Sequence, residues 1–319
     1  MKRPHWLSIL LMFISSYAFA AIDLSDKKVL YVDSYHADYG WSAGIEAGIR
    51  QVLEPTGVEI KVVRMDTKRN RDEDFKQQAA LDAKATIETY QPDIVIASDD
   101  NASKYLIKPY YKDSEIPFVF CGVNWDASIY GFPYKNTTGM IEVSLVKSLL
   151  QQLSRYAKGK RLGFLALDAY SAKRIINNYK EKFQIQFDKE VYINNFEEWK
   201  AAYIKLQEQV DQLLLLSPQG IQNWDDNLAA DFVLEHTNIP TGTALKSVMP
   251  FATIGFVNIP QEQGEWSAQA AVKILQGQAP NEIPIAQNKK GKLMINLKIS
   301  NGMGVIFHSA ILKNADVIR

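Results

Sequence analysis

Seven short segments gather the side chains from which a binding or catalytic site could be built. They are Asp33-Ser-Tyr-His-Ala-Asp-Tyr-Gly-Trp41, Met65-Asp-Thr-Lys-Arg69, Ser98-Asp-Asp-Asn101, Gly122-Val-Asn-Trp125, Leu167-Asp-Ala-Tyr-Ser171, Ser217-Pro-Gln-Gly220 and Thr241-Gly-Thr243. Aromatic rings supply apolar area, and amides, hydroxyls and carboxylates fix orientation. Tyr35, Tyr39, Trp41, Trp125 and Tyr170 could stack on a flat group, while Asp66, Asp99, Asn101 and Asp168 could pair or hydrogen-bond its amine. Ser34 and Ser98, each ahead of a helix, could hold a carboxylate. Asn124, Ser171, Ser217 and Thr241 add polar contacts, and His36 a ring that stacks or hydrogen-bonds. The set suits an amino acid or a related amphipathic metabolite. Carbohydrate hydroxyls would also suit aromatic platforms with Asp and Asn. Each segment has a plainer alternative: Ser34, Ser98, Asp99 or Asp100 as helix caps, and Trp41 or Trp125 as core.

Catalysis has less to draw on. The histidines are His5, His36, His236 and His308, and only His36 falls in one of these segments. No Gly-x-Ser-x-Gly elbow, His-Glu-x-x-His motif or phosphate loop occurs in the sequence. A hydrolase using His36 as a base with Asp66 or Asp99 is the enzymatic alternative; the expectation is no enzyme, no cofactor and no metal. Asp99-Asp100-Asn101 has too few regularly spaced oxygens for a calcium loop. Cys121, the single cysteine, cannot form a disulfide within the chain and reads as a buried thiol.

The elements that would position these segments alternate in a βαβ rhythm. Strands are expected at 29–33, 58–65, 93–97 and 117–121, with helices at 42–53, 75–90 and 102–107. The rhythm repeats with helices at 143–156, 172–183, 197–209, 229–236 and 262–275 and strands at 161–167, 189–194, 213–216 and 252–257. The expected organisation is an N-terminal α/β lobe at 21–140, a C-terminal α/β lobe at 141–260, and a crossover helix and tail at 261–319 shared between them. Part of that tail is expected back in the first lobe. In parallel sheets ligands bind beyond the carboxyl ends of the strands, which is where the seven segments fall.

Residues 1–20 resemble an export leader: basic Lys2 and Arg3, a run of about a dozen apolar residues, too short for the roughly 20 of a spanning helix, then Ala18-Phe-Ala20 for cleavage. No cysteine follows, so no lipid anchor is expected, and the mature protein should be soluble in the periplasm. Composition is that of a globular protein, 47% hydrophobic and 23% charged. Removing Lys2 and Arg3 from 36 basic residues leaves 34 against 36 acidic, a net of −2. That balance gives no electrostatic case for nucleic acid or an anionic membrane.

The same segments carry a family resemblance. Val29-Leu-Tyr-Val-Asp-Ser-Tyr-His with Trp41, Met65-Asp-Thr-Lys-Arg69, Ser98-Asp-Asp-Asn-Ala102 and Pro117-Phe-Val-Phe-Cys-Gly-Val-Asn124 resemble the N-terminal half of the periplasmic substrate-binding proteins of ABC transporters, in the tryptophan- and phenylalanine-type subgroup. Ile239-Pro-Thr-Gly-Thr243, Phe251-Ala-Thr-Ile-Gly255, Ala271-Val-Lys-Ile-Leu-Gln-Gly277, Ile295-Asn-Leu-Lys298 and Ala315-Asp-Val-Ile318 resemble the C-terminal half. The resemblance implies a type I periplasmic-binding-protein fold: two Rossmann-like lobes, three crossovers, and a small-molecule ligand closed between them. It implies a monomer and an ABC permease as partner. The N-terminal motifs also resemble ectodomains of sensor kinases and cyclic-di-nucleotide enzymes, so a membrane sensor is the alternative partner.

Overall fold

The computed structural model describes residues 22–319; the expected leader and its cleavage site lie outside the described residues. β-Branched and aromatic runs form the strands. In the first half they are β1 (Lys28–Asp33), β2 (Glu59–Arg64), β3 (Ile94–Ser98), β4 (Phe118–Asn124) and β5 (Thr137–Glu142). In the second they are β6 (Leu162–Leu167), β7 (Lys189–Ile193), β8 (Gln212–Leu215), β9 (Thr241–Thr243) and β10 (Ile254–Asn258). Three more follow: β11 (Ala286–Gln287), β12 (Gly291–Asn296) and β13 (Asp316–Ile318).

Two sheets result, ordered β11-β5-β4-β3-β1-β2 and β13-β12-β10-β9-β8-β6-β7. Every pairing is parallel except β10 with β12. β3 is buried along its whole length, which explains its unbroken apolar run: a central parallel strand is covered by helices on both faces. Each sheet accordingly has one apolar core on either side.

The chain crosses between the sheets three times. After β5 it enters helix Val146–Leu153, whose Val146, Leu149 and Leu153 pack with Phe164, Leu214 and Ile254 of the second sheet. After β10 it returns through helix Pro260–Leu275, whose Ala268 and Ala271 pack with Ile45 and Ile49 of helix Gly40–Leu53. Between β11 and β12 it crosses once more. The segment that rejoins the first lobe is therefore 260–287. β12 and β13, in the tail from Leu293 onward, stay with the second sheet.

Small residues explain the return. A Cβ placed on Gly264 would lie 2.0 Å from the Ile45 carbonyl oxygen, so only glycine lets these two helices approach. Gly264→Ala is expected to destabilise the protein by about 1–3 kcal/mol through overpacking. A urea midpoint equal to that of the parent would show that the helices can part without loss.

Candidate functional site

A cavity of about 1260 Å³ lies between the lobes, at the carboxyl ends of both sets of strands. From the first lobe come Tyr35, Tyr39 and Trp41 after β1, Lys68 after β2, Asp99 after β3, Asn124 and Trp125 at the end of β4, and Glu142 at the end of β5. Facing them are Ile175 and Tyr179 of helix Tyr170–Phe183, Leu214–Leu216, and Thr243–Ser247 after β9, with Asn258, Lys292 and Asp316.

The aromatic loop after β1 is held from behind. Asp33 is fully buried; its Oδ1 accepts from Tyr35 N at 2.9 Å and Ser42 Oγ at 2.7 Å. Its Oδ2 accepts from Arg64 Nη1 at 2.6 Å, and Arg64 Nη2 also bonds Glu46. Tyr35 and Tyr39 meet edge to face with centroids 5.4 Å apart, and Lys68 Nζ sits 5.1 and 4.7 Å from the two rings. Across the cavity Trp125 lies 6.0 Å from Tyr179, whose hydroxyl is 2.9 Å from Ser144 Oγ.

Two carboxyl groups border this space in different surroundings. Asp99 is 2% exposed, in left-handed backbone at φ +71°. Its Oδ1 accepts from Trp41 Nε1 at 3.0 Å and its Oδ2 has no partner. Burial, then the charges of Glu142 and Asp33, hold its carboxyl well above the usual range. Gly122 keeps the space open: a Cβ there would lie 2.9 Å from Asp99 Oδ1. Glu142 is only half-buried, and its Oε1 accepts from Asn258 Nδ2 at 2.8 Å. Burial pushes its pKa up to about 7; Asp100 adds to the rise, while Asn258 and Lys68 oppose it.

Of the residues singled out from sequence, Tyr35, Tyr39, Trp41, Asp99, Asn124 and Trp125 line the cavity. Ser34, Ser98, Asn101 and Thr241 lie behind it in structural bonds. Ser34 Oγ donates to the Ser98 carbonyl and accepts from Ala102 N, and Ser98 Oγ lies 3.1 Å from Tyr31 Oη. Asn101 Nδ2 donates to Thr67 Oγ1 at 2.7 Å. Thr241 belongs to the buried strand β9, not to a loop, and bonds Thr253. The remaining six sit apart from the cavity lining. Asp66 is gripped by Arg69 through Nε at 2.8 Å and Nη2 at 2.7 Å, Asp168 is paired with Lys173, and Tyr170 is 83% exposed. Ser171 is exposed, and Ser217 Oγ accepts from Gln219 N. His36 Nδ1 is buried without a partner, and the ring bonds neither Asp66 nor Asp99. Among the described residues no group of three or more His, Cys, Asp or Glu could hold a metal.

A profile described as ABC transporter substrate binding protein matches residues 42–318. The chain belongs to that family. Solved structures agree on the fold. A ligand-free, open substrate-binding protein with adhesive properties from Clostridium difficile, CD0873, is 19% identical, with 92% of this chain and 99% of that one covered and a TM-score of 0.73. An ABC domain from Streptococcus pneumoniae in complex with L-Trp is 16% identical over 92% and 99% of the two chains, TM-score 0.58. A periplasmic ribose ABC transporter protein from Conexibacter woesei is 15% identical over 90% and 96%, TM-score 0.55. A search of curated protein sequences found no match. At such identities the neighbours establish architecture: this substrate-binding protein has the two-lobed type I periplasmic-binding-protein fold. No described helix is long and apolar enough to cross a membrane.

Residues that sequence reasoning missed are chiefly Lys68, Glu142, Ser144, Tyr179 and Asn258. Lys68 lay inside a segment already singled out. Glu142 and Asn258 end strands, the position expected of ligand contacts, but β5 was not legible as a strand. Tyr179 lies midway along a helix, where nothing in the sequence marks the cleft-facing side.

Proposed function

We propose that this substrate-binding protein works in the periplasm as a monomer, without turnover, closing on an amino acid or related amphipathic amine and presenting it to an ABC permease. The observation that carries the ligand class is Glu142. It is a half-buried carboxyl in a cavity flanked by Tyr35, Tyr39, Trp41, Trp125 and Tyr179, with one side-chain amide bonded to it. A ligand ammonium beside Glu142 would compensate its charge, and the rings would cover an apolar or aromatic part. Of the carboxylates first considered for this role, Asp66 and Asp168 already carry cationic partners, and burial disfavours charge on Asp99. The cavity also exceeds the roughly 300–1,000 Å³ of small-molecule sites, as suits two lobes that close further on a ligand.

A thermal-shift screen of amines, amino acids and sugars tests this. At free ligand about 100 times Kd, stabilisation of about 2.7 kcal/mol is expected. Glu142→Gln should weaken binding of that amine by roughly 10–100-fold, the scale of a charged hydrogen bond. Stabilisation by sugars alone would sink the amine assignment, and turnover of the stabilising compound would sink the binding reading.

A further inference from the structure

The three crossings between the lobes converge on one residue. Val143 opens the first crossing. Its N–H donates to Asn288 Oδ1 at 2.7 Å, and its carbonyl accepts from Asn288 Nδ2 at 3.1 Å. The same carbonyl accepts from Asn258 Nδ2, also at 3.1 Å. Asn258 ends β10 at the second crossing, and Asn288 begins the third. Glu262, just past the second crossing, accepts from Lys289 N and Lys290 N in the third. The hinge is therefore one bonded unit, and Asn258 Nδ2 donates at once to it and to Glu142 Oε1 in the cavity.

We propose that Glu142 and Asn258 form a hinge couple, through which the charge a ligand brings into the cleft sets the angle between the lobes. The inference rests on the cleft being the ligand site. An ionised carboxylate accepts a shorter, stronger hydrogen bond from an amide than a neutral carboxyl does. Asp100, just past the end of β3, opposes charge on Glu142, and Lys68, after β2, favours it. A cationic ligand tips that balance toward the ionised form. The bond to Asn258 then strengthens at the point where all three crossings meet. The lobe angle that best preserves this bond gains population, because a ligand shifts a conformational equilibrium only through such a difference between states.

Proton concentration can replace the ligand, since burial places Glu142 near 7. This allows a test on ligand-free protein. Cys121 is buried, so spin labels attach selectively at Ala85→Cys on the first lobe and Lys205→Cys on the second. Pulsed dipolar spectroscopy then follows the interlobe distance between about pH 5.5 and 8.5. The ratio of distance populations should change by roughly tenfold for each pKa unit by which Glu142 differs between lobe angles. The midpoint should lie near 7, and Glu142→Gln and Asn258→Ser should each flatten the response. A distance distribution that ignores pH, or that shifts equally in Glu142→Gln, overturns the proposal. Because no ligand is used, a pH response in a protein that binds no amine would sink the ligand class and leave the hinge couple standing.

Discussion

Asp33→Ala is expected to lower stability by about 3–5 kcal/mol, the cost of breaking a buried ion pair from one side. Asp33 has no exposed surface, and its two oxygens satisfy three donors: Tyr35 N, Ser42 Oγ and Arg64 Nη1. Alanine would leave Arg64, whose side chain is only 27% exposed, with Glu46 as its one remaining carboxylate. It would also free the first turn of helix Gly40–Leu53, which has no side-chain cap at Tyr39 and relies on Ser42 being held. Asp33→Asn keeps an oxygen for Tyr35 N and Ser42 Oγ but turns a donor toward Arg64, so its loss should be smaller. Guanidinium unfolding of both variants measures the difference. The same change should weaken ligand binding, because Asp33 fixes the loop that carries Tyr35, Tyr39 and Trp41. A loss below about 1 kcal/mol would show that Glu46 alone satisfies Arg64.

What could be seen of this site in the sequence depended on how each contact is encoded. Apolar runs such as 94–98 and 118–123 mark central strands by themselves, and Asp99, Asn124 and Trp125 at or just past their ends lie on the cavity wall. Strands β5 and β9 begin Thr-Thr-Gly and Thr-Gly-Thr, with no apolar signal, because threonine side chains there are buried by hydrogen bonding instead. Missing β5 hid Glu142, the carboxyl that the cavity exposes.

Charge partners were the other gap. Asp66 and Arg69 are three residues apart, and Asp168 and Lys173 five, so local arithmetic could have withdrawn both acids from the ligand set. Asp99 has no such tell. Its neighbours Trp41, Gly122 and Glu142 come from three other strand ends, and only the sheet order β5-β4-β3-β1 assembles them.

That assembly makes Asp99→Asn an informative change in the opposite direction to Asp33→Ala. The folded protein holds the Asp99 proton to a higher pH than the unfolded chain does, since its carboxyl is raised by burial. Between the unfolded and folded pKa values the native state binds more protons, so stability falls as pH rises through that window. Asparagine mimics the protonated acid. Its oxygen can accept from Trp41 Nε1, and it tolerates the left-handed backbone at φ +71° better than other side chains. The variant should therefore match the parent near pH 4, exceed it in stability at pH 8, and show a flatter pH profile. Glu142, with its pKa near 7, leaves a residual decline in both proteins between about 4.5 and 7. Affinity for a cationic ligand should change by less than about threefold in Asp99→Asn, because burial disfavours charge on the Asp99 carboxyl while Glu142 faces the cavity. A large loss of affinity with unchanged stability would reverse those roles: Asp99 would be the ionised partner of the ligand, and the unpartnered Oδ2 its contact atom.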